Sequence, residues 1–376
     1  MRRGKQTLED AIISMPWPEA THVARRRFLR HLTAGACAAG ALLRSGFHEA
    51  AASAPKTYTN PVYAGSMPDP FVLRHRGLYY AFGTTGNERK ADGRVFTLLR
   101  SHDLVNWREL GGALTEPTAD RDYQFWAPEV AYDAGTFYLY YAMGGKEEEK
   151  FELRVATSKR PAGPYRDAGV KLLDCEQNRF TIDAHPFKDT DGRWYMFYAR
   201  NFPDTEGGAH PGTALVVDRL VGMTKLAGEC KVVLRALYPW TLYEANRRME
   251  VYGRTFDWHT IEGAFVREHG GRYYCFYSGS NWQTPNYGVD YAVADSVTGP
   301  YTGQGTEARV LKGVPGRVRG PGHHSIVRGP DGKTDYFVYH AWDEAMKVRQ
   351  LCIDRLDWTP QGPRLRGPTY TPQPVP

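Results

Sequence analysis

The sequence predicts an all-β chain folded as a five-bladed β-propeller. Three observations carry that prediction. A glycine turn followed by an aromatic strand is written five times: G-L-Y-Y-A-F-G-T from Gly77, G-T-F-Y-L-Y-Y-A-M-G from Gly135, G-R-W-Y-M-F-Y-A-R from Gly192, G-R-Y-Y-C-F-Y-S-G from Gly271 and G-K-T-D-Y-F-V-Y-H-A from Gly332. The same kinds of segment flank every copy. The 24 Tyr and 39 Gly among 376 residues favour strands joined by tight turns.

The elements follow in order. A short apolar strand precedes each glycine turn: D-P-F-V-L, A-P-E-V-A-Y, A-H-P-F-K, G-A-F-V-R and H-S-I-V. The aromatic strand alternates large and small residues, as a strand packed between two layers does. A third strand follows and ends in a related turn, S-H-D-L-V-N-W from Ser101, T-S-K-R-P-A-G-P-Y from Thr157, V-D-R-L-V-G-M from Val217, A-D-S-V-T-G-P-Y from Ala294 and I-D-R-L-D-W from Ile353. A β-sandwich would also supply many strands, but not five copies with matched turns. The stretch 201–260 is longer than the other connections and is expected to add a loop or insert near the pocket.

The net charge of +6 suggests an anionic partner until it is located. Residues 1–54 hold eight of the basic residues and four of the acids, which accounts for +4. They read as a twin-arginine export signal: R-R-R-F-L-R at 25–30, an apolar run at 32–43, and A-A-A-S-A-P at 50–55 with cleavage expected after Ala54. The alternative is an N-terminal amphipathic anchor, and Met15 is an alternative start. Residues 55–376 are nearly neutral and form the single expected propeller domain, which disfavours nucleic acid as a partner. No segment approaches the ~18 apolar residues of a membrane span. The expected location is periplasmic or extracellular. Of the four cysteines beyond the leader (Cys175, Cys230, Cys275 and Cys352), Cys275 and Cys352 sit in strand-like segments; free buried thiols are expected, and no C-x-x-C pair points to a metal.

In a propeller the first strand of each blade lines the central channel, and sites form at its mouth. Eight or nine residues before the five turn glycines stand Asp69, Ala127 beside Trp126, Asp183, Glu262 and His324. The framework repeats while this position varies and stays polar in four of five copies. A single Asp beside a Pro often only caps a turn. Three acids brought together by repeat symmetry are different, because gathered like charges cost stability and mark function. Such a set suits glycosidic bond cleavage. One carboxylic acid protonates the leaving oxygen, a carboxylate opposite activates water or attacks directly, and a third acid raises the donor's pKa.

At these residues the chain resembles glycoside hydrolase family 43, the five-bladed propeller enzymes acting on arabinose- and xylose-containing glycans. M-P-D-P-F-V (67–72), W-A-P-E-V (126–130), T-I-D-A-H-P-F (181–187), I-E-G-A-F-V (261–266) and G-P-G-H-H-S (320–325) run in the family's order, over about residues 60–368. The resemblance implies an inverting mechanism with Asp69 as general base, Glu262 as general acid and Asp183 as the acid that tunes and orients it. It implies Trp126 at the sugar site and His324 as the channel histidine. Two departures stand out: E-G-A replaces the family's frequent Glu-Gly-Pro, and 201–260 is long. That insert favours an exo-acting α-L-arabinofuranosidase or β-xylosidase over an endo-arabinanase.

Around the acids, Trp126, Trp240, Trp258 and Trp282 are candidate sugar-stacking residues; packing is the simpler reading of each except Trp126, which abuts the repeat position, and Trp282 is kept with it as a candidate substrate contact. His185 shares Asp183's face by strand alternation and is a candidate sugar contact. His324 is a further candidate contact and, through water, a candidate ligand for a structural channel calcium; the reaction itself requires no cofactor. Arg317, Arg319 and Arg349 are expected at the surface, and K-E-E-E-K (146–150) as a solvated turn. Two other functions compete. A retaining fructan enzyme would show Asn-Asp-Pro-Asn, Arg-Asp-Pro and Glu-Cys segments, where this chain has P-D-P-F, I-D-A and E-G. A non-catalytic sugar-binding propeller has no need of three separated acids.

Overall fold

The computed structural model describes residues 56–145, 149–174 and 176–376. The expected leader at 1–54, the first three residues of the K-E-E-E-K run and Cys175 lie outside the described residues. The described chain is all-β. Its only helical segments among the described residues are three 3-10 turns, Glu206–Gly208, Pro239–Thr241 and Glu250–Tyr252. The sheets take a propeller arrangement.

Every glycine turn of the repeat opens the second strand of an antiparallel sheet. The first sheet runs Phe71–His75, Leu78–Gly83, Val95–Ser101, Trp107–Leu114; the second runs Gln124–Asp133, Thr136–Gly144, Phe151–Ser158, Arg166–Leu173. The third begins Thr181–Lys188, Trp194–Phe202, Gly212–Gly222, and the fourth has three strands, Ile261–His269, Arg272–Gly279, Gly288–Ala294. The fifth runs Arg319–Arg328, Asp335–Trp342, Arg349–Thr359, Gly362–Leu365. The first strands of these sheets neighbour one another in chain order, and that of the fifth lies beside that of the first.

The stretch 201–260 is more than a loop. It extends the third sheet to seven strands. Lys225–Leu226 and Lys231–Leu234 pair with Gly212–Gly222, and a hairpin of Leu242–Met249 and Arg254–His259 joins by a parallel pairing of Gly212 with His259. A separate apolar cluster of Met249, Phe256 and Trp258 supports this hairpin, so Trp258 is a packing residue.

The aromatic strands explain the tyrosine excess. Tyr140, Tyr198, Tyr277 and Tyr339 are each almost fully buried in clusters that run from one sheet to the next. Cys275 and Cys352 are buried free thiols in these layers, whereas Cys230 is exposed. The ends of the described chain meet at the fifth sheet. Thr57–Tyr58 pairs with Gln373–Pro374, while Asn60 donates to the Ile353 carbonyl and accepts from the Ile353 N–H, both at 2.9 Å.

The head of each inner strand carries a left-handed residue: Asp69 (φ 53), Ala127 (φ 44), Asp183 (φ 59), Gly263 (φ 59) and His323 (φ 41). In four sheets this coincides with a register shift against the second strand, a β-bulge that removes one N–H from the ladder. Neighbouring sheets satisfy most of these donors. Ala127 N–H donates to Thr84 Oγ1 (2.8 Å), Gly263 N–H to Asp183 Oδ2 (2.9 Å), His323 N–H to Ser278 Oγ (2.8 Å), and Asp69 N–H to His340 Nδ1 (3.1 Å).

A second tie lies deeper. Glu129 of the second sheet holds His185 Nδ1 of the third at 2.7 Å, and His185 Nε2 accepts the Val266 N–H of the fourth at 3.0 Å. Because Nε2 accepts, Nδ1 carries the proton and donates it to Glu129. All three groups are buried, so removing the carboxylate strands a donor. Glu129→Ala is expected to cost about 3 kcal/mol of stability and to lower Tm on the order of 6 °C. Calorimetry that finds a Tm within a degree of the wild type would refute this load-sharing across three sheets.

Candidate active site

The bulges turn the strand heads toward one mouth, where a cavity of about 510 Å³ opens. Asp69, Asp183 and Glu262 all line it, together with Trp126 and Trp282. The structure therefore brings together five of the residues expected from sequence. Two others are displaced. His185 is buried in the tie between Glu129 and Val266, away from the cavity. The bulge between Ile182 and His185 breaks the alternation that would have put it on Asp183's face. His324 is likewise buried outside the cavity wall, with its ring stacked on Phe337 at 4.3 Å. Its place at the cavity belongs to His323, because the bulge between Gly322 and His324 shifts the register by one. The same shift puts Gly263, one residue after Glu262, at the position equivalent to Asp69 and Asp183. Glycine suits that position twice over, since φ is positive and an added Cβ would meet the His323 ring at 3.3 Å.

Asp69 sits beside one cation and two imidazoles. Arg349 Nη1 contacts its Oδ1 at 2.8 Å, His323 Nδ1 lies at 3.5 Å and His340 Nδ1 at 3.6 Å. Burial alone would raise its pKa. The Arg349 charge, the two histidines and a hydrogen bond from Thr84 outweigh burial and hold the carboxyl well below the usual range. Arg349 was expected at the surface. It instead lies over the Trp282 ring at 4.4 Å, with Trp282 and Trp342 stacked nearly parallel, and is mostly buried. Arg317 and Arg319 are not among the lining residues.

Glu262 and Asp183 behave in the opposite way. Burial pushes Glu262 up to about 7; the Asp69 charge adds to this, while a hydrogen bond from Tyr287 and the charge of Arg349 oppose it. Burial also raises Asp183 well above the ordinary range, followed by the charges of Glu262 and Asp69, against a hydrogen bond from the Gly263 N–H. Ligand atoms of Asp183, Glu262 and His323 all lie within 4.8 Å of one another. Two carboxyls this close titrate as a pair that keeps a proton near neutral pH. The cavity thus holds one firmly ionised carboxylate and one protonated pair.

Trp126 is fixed by stacking on Phe151 (3.9 Å) and by donating Nε1–H to Gln124 Oε1 (3.0 Å). Trp240 is partly buried and donates to the Gly305 carbonyl, consistent with packing. Glu149, from the run expected to be solvated, faces inward to Arg247 and Asn201. Sequence reasoning missed His323, Tyr287, Glu129 and Arg349 as site or support residues. Only His323 carried a signal, as one of two adjacent histidines. A bulge is needed to choose between them.

The model of glycosyl hydrolases family 43 matches residues 58–363. A β-D-galactofuranosidase of Aspergillus niger is 27% identical across 81% of this chain and 83% of its own length. An extracellular exo-α-(1→5)-L-arabinofuranosidase of Streptomyces chartreusis is 28% identical across 83% of this chain and 90% of its own. A crystal structure of a thermostable family-43 glycoside hydrolase superposes with a TM-score of 0.73 at 29% identity, covering 85% of this chain and 99% of that one. A match that runs through nearly every described sheet settles membership: the chain belongs to glycosyl hydrolases family 43 and is a glycoside hydrolase.

Proposed function

We propose that this enzyme removes terminal α-L-arabinofuranosyl or β-xylosyl units from plant polysaccharides or their oligosaccharides, with inversion at the anomeric carbon. The observation that carries the reading is the division of charge in the cavity. Asp69 is held ionised, as a base must be, while Glu262 keeps a proton to near neutral pH, as an acid must. Asp69 takes a proton from a water whose oxygen bonds to the anomeric carbon. The glycosidic bond breaks as Glu262 gives its proton to the leaving oxygen. Asp183, held by the Gly263 N–H, orients the sugar, and its carboxyl beside Glu262 keeps a proton on the pair. Trp126 and Trp282 offer rings to the sugar faces. In this reading the five sheets are the five blades of the propeller, supported by the closed ring of neighbouring inner strands.

Exo action is supported by the name of the Streptomyces relative, an extracellular exo-α-(1→5)-L-arabinofuranosidase. Tyr243 of the added hairpin comes close enough to Glu262 to feel its charge, which puts the hairpin behind the acid rather than among the residues that line the cavity. Proton NMR of linear arabinan during hydrolysis tests both points together. The expected first product is arabinose alone, released as the β-anomer. Long oligomers at the outset would refute exo action, and an initial α-anomer would refute inversion.

The reaction uses no cofactor. A structural calcium in the channel, reached through water from His324, fits the two ring nitrogens of that residue, which are buried without a partner. Exhaustive EDTA treatment is expected to lower Tm and leave the catalytic roles in place; an unchanged Tm removes the ion from this reading. Export through a leader ending at Ala54 is supported by the extracellular relative and by the order of the leader's parts. The N-terminus of the exported chain is expected at Pro55, read by Edman sequencing. Retention of residues 1–54 would overturn it.

A further inference from the structure

Glu262 has a second partner that none of the motifs contains. Tyr287, in the connection between Arg272–Gly279 and Gly288–Ala294, reaches Glu262 Oε1 at 2.7 Å. Its ring is almost fully buried. It lies parallel to His340 at 5.8 Å, and a Cβ added at Gly322 would come within 2.3 Å of it. The ring therefore has no room to swing. Burial and the Glu262 charge hold the phenol well above its ordinary pKa, so it stays protonated and donates. The Ser278 side chain hydrogen-bonds the same hydroxyl, while its Oγ accepts the His323 N–H at 2.8 Å. A chain of hydrogen bonds thus runs from the bulge of the fifth sheet through Ser278 and Tyr287 to Glu262.

We propose that Tyr287 is a positioning residue for Glu262, occupying Oε1 so that the proton is carried by Oε2 toward the leaving oxygen, and stabilising the carboxylate left after transfer. The proposal rests on the reading of Glu262 as the general acid. With Oε1 committed to the phenol, the proton has one oxygen to occupy. When Oε2 gives it up, the phenol O–H faces a full carboxylate, and a hydrogen bond to a charged acceptor is stronger than one to a neutral acid. Tyr287 thereby holds the acid's pKa down against the groups that raise it. The ionisable groups around Glu262 are Asp69 of the first sheet, Asp183 of the third, Tyr243 of the added hairpin, and His323, His340 and Arg349 of the fifth. Of these, only Arg349 is a cation that also stabilises the ionised form, and it is shared with Asp69.

The test compares the full-length wild type, Tyr287→Phe and Glu262→Gln on two α-L-arabinofuranosides. One carries 2,4-dinitrophenol, which leaves without a proton. The other carries an alkyl alcohol, which needs one. In the wild type the basic limb of kcat/KM is expected near pH 7, because activity falls as Glu262 loses its proton. In Tyr287→Phe that limb is expected to move up by about one pH unit, with roughly tenfold lower kcat on the alkyl glycoside and little change on the dinitrophenyl one. An unmoved limb, or equal losses on both substrates, would reduce Tyr287 to scaffolding. Glu262→Gln separates the two claims: equal losses on both substrates there would overturn the general-acid reading itself, whatever Tyr287→Phe does. If Tyr287→Phe does not fold, Ser278→Ala weakens the same chain and is expected to shift the limb in the same direction by less.

Discussion

The site depends on a backbone constraint: the chain must turn left-handed at the head of each inner strand. Non-glycine residues adopt that conformation at a cost of order 1 kcal/mol each, so it persists only where the surroundings over-determine it. Here a neighbouring sheet does so at four of the five strand heads, by accepting the N–H there. Thr84, Asp183, Ser278 and His340 thereby hold the strand heads at Ala127, Gly263, His323 and Asp69 across sheet boundaries. Asp183 plays both parts. It is a strand-head residue and also the acceptor that fixes Gly263 beside Glu262, so two of the three acids are geometrically one unit.

Three carboxyls in one low-dielectric cavity would ordinarily all be pushed toward the neutral form. What separates them is where the single nearby cation goes. Arg349 contacts Asp69, and the Trp282 and Trp342 rings confine it there. Glu262 and Asp183 are left with backbone and phenol donors, which moderate but do not cancel burial. Charge separation among the three carboxyls thus follows from the placement of one guanidinium. Displacing it would move them toward the same protonation state.

The fold and the acids were legible because each is written redundantly. Five glycine turns mark second strands, and an error in one copy is corrected by the others. Asp69, Asp183 and Glu262 stand at matching offsets from those turns. The misplaced residues share one cause. Period-two alternation assumes an unbroken strand, and a bulge at Ile182–His185 or Gly322–His324 reverses the faces beyond it. His185 was thereby put in the cavity when it ties three sheets together, and His324 was preferred to His323. Arg349 and Tyr287 were missed for another reason. They reach the acids from a third strand and from an inter-strand connection, far away in sequence, and no local pattern distinguishes such residues from surface ones.

Selectivity should reside where the repeat is broken, because the repeated parts are committed to holding the acids. The longest break is the hairpin on the third sheet. It is anchored rather than merely appended. Glu149 accepts from Arg247, Asn281 donates to the Tyr243 carbonyl, and Trp240 at its base stacks on Tyr277 of the fourth sheet. These contacts join the second, third and fourth sheets on the side of Glu262. The hairpin's length and its Tyr243 side chain lie outside the repeat yet near Glu262, and are where substrate choice has room to vary without disturbing the three acids.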